Sequence, residues 1–89
     1  MTLNSKQRKT LEAIFERPTR ANIVWDDIEK LLIALGAERK QKGGSIVGFK
    51  LGDVVDTFHR PHPSKEAYKP LVERVRAFLI KAGHHEKRD

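Results

Sequence analysis

Between Ser45 and His59 the chain alternates. Val47, Phe49 and Leu51 occupy every second position, Gly52-Asp53 intervenes, and Val54 and Phe58 resume the period with Asp56 between them. Period-two alternation marks a half-buried strand, and a Gly-Asp pair between two such runs marks a two-residue hairpin turn. That turn sets the register: Leu51 faces Val54, Phe49 faces Asp56, Val47 faces Phe58 and Ile46 faces His59. One face of the hairpin is then apolar except at Asp56, whose charge suits a strand near a sheet edge. Ile46, Gly48, Lys50, Val55, Thr57 and His59 make the other face, which is mixed, small and basic, as a ligand-facing sheet would be. The apolar face needs helices to cover it.

The rest of the chain supplies them. Ile28, Leu31, Leu32 and Leu35 fall at i, i+3, i+4 and i+7, a core-facing helical stripe. Asp26 and Glu29 have capping-box spacing, Trp25 just before them is expected to anchor the core, and Gly36 suits the left-handed C-terminal position. An earlier helix is expected over Ser5–Arg17, with Asn4 or Ser5 as N-cap and Pro18 as its stop. Its apolar face (Leu11, Ile14, Phe15) is narrow, which predicts a helix lying on the domain rather than in its centre. Ala37–Gln41 reads as a short strand. Arg60-Pro-His-Pro63 is too proline-rich for a central strand and must leave the sheet. The last helix is expected from about Pro70, with Leu71, Val75, Phe78 and Leu79 inward and Gly83 at its end.

The order α-α-β-β-β-α predicts an α+β, two-layer sandwich whose three-stranded antiparallel sheet packs on helices. Residues 1–21 read as an N-terminal helical extension, 22–83 as the folded domain and 84–89 as a disordered tail. At 89 residues the chain makes one small domain, for which a single core is just sufficient.

Composition narrows the function. No apolar run nears the roughly 18 residues of a membrane-spanning helix, and no apolar stretch follows the N-terminal charges as in a secretory signal. The absence of cysteine excludes disulfides, a thiolate zinc site and a cysteine nucleophile. A reducing, cytoplasmic setting fits. Eighteen Lys and Arg against twelve Asp and Glu leave a net charge of +6, which favours a polyanionic partner such as nucleic acid.

Several segments together carry a family resemblance. Ala34-Leu35-Gly36 closes a helix, Gly43-Gly44-Ser45 leads into the second strand, His62-Pro63 follows the third, and an amphipathic helix ends the chain. In these features the sequence resembles the HicA family of toxins from type II toxin–antitoxin systems. The resemblance implies a double-stranded-RNA-binding-domain-like fold over 22–83, with the first helix as an extension. It also implies metal-independent cleavage of mRNA and neutralisation by a HicB-type antitoxin, with no membrane, metal or small-molecule cofactor involved. The family histidine that normally follows Gly-Ser is absent, because Ile46 and Val47 stand there.

Cleavage of RNA through its own 2′-hydroxyl needs a base, an acid and cations for the charged phosphorane. Histidine titrates in the right range for proton transfer, and Lys or Arg serves the charge. The candidates for proton transfer are His59, across from Ile46, and His62, in the family's second motif. Their alternative readings are a half-exposed strand histidine and an imidazole that hydrogen-bonds its loop. Two imidazoles without cysteine fall short of a zinc site. Lys40, Lys42, Gly44, Ser45, Lys50 and Arg60 are the candidate RNA-binding residues, with Arg39 and Lys65 near the same basic track. The alternative is an RNA-binding or antitoxin-binding module on the same fold without catalysis. A DNA-groove reader is weaker, since the basic residues cluster on strands and loops. His84-His85 reads as tail, and Asp26-Asp27 as capping rather than acid catalysis.

Overall fold

The computed structural model describes residues 3–84. Its elements run α1 (Ser5–Ile14), β1 (Ile23–Val24), α2 (Trp25–Ala34), β2 (Glu38–Gly43), β3 (Ile46–Leu51), β4 (Val54–His59), β5 (Glu66–Ala67) and α3 (Lys69–Lys81). The central sheet is antiparallel in the order β2-β3-β4, and α2-β2-β3-β4-α3 is the order of a double-stranded-RNA-binding-domain-like fold. The hairpin register is the expected one, from Leu51–Val54 through Phe49–Asp56 and Val47–Phe58 to Ile46–His59. Val47, Phe49, Leu51 and Phe58 are buried beneath the helices. Phe58 is the hub, with Trp25, Phe49 and Phe78 around it at centroid distances of 6.0, 6.3 and 5.7 Å.

Asp56 is explained by its place. It lies on the edge strand β4, where Arg74 of α3 pairs with it at 2.7 Å. Glycines end α2 and α3 as expected. With Gly36 at φ +105° and Gly83 at φ +88°, the backbone turns so that Ala37 N–H reaches Leu32 O and His84 N–H reaches Leu79 O. His84, read as tail from sequence, therefore takes part in the helix cap through its backbone; the remainder of the expected tail, 85–89, lies outside the described residues.

Three local expectations are corrected. The Asp26/Glu29 capping box does not form, because α2 begins at Trp25 with Val24 as N-cap and no side-chain cap. Pairing of β1 with β5 supplies Lys65 O to the Trp25 N–H at 2.8 Å, so backbone from a distant segment takes the capping role. Glu29 instead accepts from Trp25 Nε1 at 2.6 Å and from Arg39 Nε at 2.7 Å. Asp26 and Asp27 occupy the first helical turn, where negative charge suits the helix dipole.

Helix α1 stops at Ile14 rather than Arg17. Proline disfavours helical geometry in the residue before it, and the last turn tightens, with Glu16 N–H reaching Ala13 O. Its start is as expected, with Asn4 and Gln7 forming a reciprocal capping box. Ala13, Ile14 and Phe15 join the main buried cluster, so α1 closes the core instead of lying on it. Arg76 of α3 reinforces this. Although 7% exposed, it donates to Ile14 O, Glu16 O and Thr19 Oγ1.

Candidate functional site

The helices cover one face of the sheet and leave the other to solvent. Two connections build one end of that open face. Gly44 and Ser45 make the turn between β2 and β3, and the Gln41 side-chain amide donates to Gly44 O and Ile46 O at 3.1 and 3.2 Å. Past the end of β4, Arg60 N–H donates to Ser45 O at 2.8 Å. That bond brings Gly44-Ser45 against His59-Arg60, although the two pairs are separated by the whole β3–β4 hairpin.

His59 is exposed on the open face, in register with Ile46. His62 is exposed in the loop beyond the strand. Among the described residues neither imidazole has a hydrogen-bond or ion-pair partner, so no carboxylate orients either ring. The reading of His62 as a loop-bonding imidazole finds no bond to rest on.

The cations divide by strand parity. Lys40 stands opposite Gly48, and Lys50 stands between Glu38 and Val55 in the register of its two neighbours. A bulge between Gln41 and Gly43 places Lys42 as an extra residue in β2. Its stem lies over Gly48, which is buried even though it belongs to the open face. Glu38, Lys40, Lys42, Gly48, Lys50 and Val55 are among the residues that line a depression of about 330 Å³, in which the basic side chains outnumber the one from Glu38. Val55 is 62% exposed there, an apolar patch among charged side chains that are mostly basic.

Two members of the expected basic track lie elsewhere. Arg39 points to the helix side, where it pairs with Glu29, because alternation along β2 splits a basic run between two faces. Lys65 precedes β5, and its carbonyl is the partner of Trp25 N–H. The special position of Gly48 was missed from sequence, although an isolated glycine in a strand pattern signals a close approach. A larger groove of about 520 Å³ between α1 and β1 mixes Lys6, Lys9 and Arg20 with Glu12, Glu16 and Asp27, and gathers no comparable excess of one sign.

Among the described residues, no three His, Asp or Glu side chains gather as metal ligands, and no helix is long and apolar enough to cross a membrane. The fold and this face define a small basic α+β domain with one side of its sheet left uncovered and cationic. The family model described as the HicA toxin of bacterial toxin–antitoxin matches residues 25–84, and the chain belongs to that family. It is thus a toxin-family member of a toxin–antitoxin system. No curated protein and no solved structure matches the chain.

Proposed function

We propose that this protein is an mRNA endoribonuclease that works without a metal and is neutralised by a HicB-type antitoxin. RNA would run over the open face, with Lys40, Lys42, Lys50 and Arg60 against phosphates and the Gly44-Ser45 turn beside the backbone. One imidazole takes the proton of the 2′-hydroxyl as its oxygen attacks the adjacent phosphorus. The bond from phosphorus to the 5′-oxygen breaks, and an acid protonates that leaving oxygen. The products are a 2′,3′-cyclic phosphate and a 5′-hydroxyl. His59 and His62 are the groups proposed for these two transfers.

The observation that carries this reading is the register of His59 with Ile46. An imidazole on the partner strand thereby stands at the sheet end where the family histidine is missing. Its exposure leaves it accessible to substrate.

The test is incubation of purified protein with mRNA in the presence of EDTA, followed by end-group analysis. Cyclic-phosphate ends are expected from the parent, and His59→Ala or His62→Ala should slow cleavage by about 10²–10⁴-fold. Cleavage that is unaffected by the double substitution excludes these histidines.

Ile46 and Val47 favour a second reading, since neither side chain can move a proton. On that reading the domain binds RNA or the antitoxin without catalysis. Intact RNA bound tightly by the parent protein would establish it in place of the first.

A further inference from the structure

Gly48 is the middle of the middle strand, and the space above it is taken by another residue's side chain. A Cβ built on Gly48 would lie 2.9 Å from Lys42 Cε, 3.7 Å from Lys40 O and 3.7 Å from Thr57 Cγ2. Lys42 belongs to the edge strand β2, yet its terminal methylene rests above β3, next to the β4 side chain of Thr57. The bulge at Lys42 re-aims the side chain, and the bare glycine surface receives it.

We propose that Gly48 is a positioning residue for RNA binding, whose missing side chain lets Lys42 hold its ammonium over the centre of the sheet. This rests on the reading of the open face as the RNA surface. A lysine on an edge strand ordinarily spreads its charge over many rotamers in solvent. Laid across Gly48, the stem rests on bare backbone beside the Thr57 methyl and the Lys40 carbonyl while the charged head stays wet. Lys42 then joins Lys40 and Lys50 on this face, where Glu38 stands across from Lys50 and the three ammonium groups outnumber its carboxylate. A phosphate lying on the face meets several cations at once instead of a rim of separate ones.

The contact also makes the proposal testable without loss of the fold. The atom that a new Cβ would meet is the far end of a flexible side chain, so Gly48→Ala displaces Lys42 at little cost to the sheet. The experiment measures binding of a short, fluorescently labelled, 2′-O-methylated single-stranded RNA, which has no attacking hydroxyl, as a function of salt. Lys42→Ala is expected to weaken binding and lower the salt slope by about one unit. Gly48→Ala, with its lysine intact, should reproduce most of that loss, and adding it to Lys42→Ala should cause no further loss. Combining Lys42→Ala with Gly48→Lys returns an ammonium to the centre of the face from β3 itself and should recover the affinity.

The outcomes separate. If Lys42→Ala weakens binding but Gly48→Ala matches the parent, the positioning role is wrong and the RNA surface stands. An equal loss from Gly48→Ala with and without Lys42 also overturns it, since the glycine would then act independently of the lysine. Should Gly48→Ala not fold, the relocated lysine decides: binding as weak as in Lys42→Ala alone rejects the proposal. If the parent itself does not bind this RNA, the RNA reading falls, and the positioning role falls with it.

Discussion

Arg76 Nε donates to the carbonyl oxygen of Ile14 at 2.9 Å, joining the middle of α3 to the end of α1. The same guanidinium reaches Glu16 O and Thr19 Oγ1, so all three partners are neutral oxygens. A helix C-terminus presents unpaired carbonyls and the negative end of its dipole, and a buried cation satisfies both. The helix outside the matched family region is held in this way by a residue inside it.

Replacing Arg76 with Met should therefore cost about 2–3 kcal/mol, since it leaves buried carbonyls without donors. For a domain of this size that lowers Tm by roughly 10–20 °C. Arg76→Lys should lose less, because an ammonium keeps the charge but not the fork of donors. Thermal melts of the two variants check the ranking, and equal losses would contradict it.

The pair Asp56–Arg74 guards the edge of β4. Thr57 N–H is bound by Asp56 Oδ1 at 2.8 Å and Thr57 O by Arg74 at 3.0 Å, so both polar groups of one edge residue are occupied. Arg74→Ala should change stability by only about 1 kcal/mol, because both side chains of the ion pair are partly open to solvent. Its larger effect should be on association, as a freed strand edge invites pairing. Sedimentation over a concentration series should show more self-association than the parent, and an unchanged monomer would refute the guarding role.

The open face yields a prediction about salt. Lys50→Ala and Arg60→Ala should each weaken RNA binding and reduce the slope of log affinity against log salt by about one unit. Arg39→Ala, from the same basic run as Lys40 and Lys42, should leave that slope unchanged because Arg39 faces the helices. A slope lowered equally by Arg39→Ala would contradict the division of the strand into two faces.

Toxicity follows the imidazoles on the proposed mechanism. Induced expression of the parent should arrest growth, and the His59→Ala, His62→Ala double variant should not, while its melting curve stays that of the parent. Both side chains are exposed, so their loss removes no buried contact. Arrest by the double variant as strong as by the parent would exclude proton transfer by this pair.

What the sequence determined by itself was local. Strict alternation on either side of Gly52-Asp53 admits one hairpin register, and His59 opposite Ile46 followed from it directly. The glycines after α2 and α3 marked their ends because a left-handed residue there is a property of the backbone at one position. The charge of Asp56 likewise marked an edge strand.

Only the tertiary structure decided the rest, because the partners are far apart along the chain. Trp25 starts α2 since Lys65 O caps it, and no spacing around Asp26 and Glu29 could show that. β1 and β5 are two residues each, too short for any period, and exist through pairing with one another. Arg76 reads as an ordinary surface position until α1 folds back over it. Lys42 fell just past the expected strand Ala37–Gln41 and Gly48 within the next one, but a bulge set the direction of the lysine and the bare backbone of the glycine received it. Periodicity and turn chemistry act over a few residues, whereas which side chain fills a given space is settled only when distant segments pack.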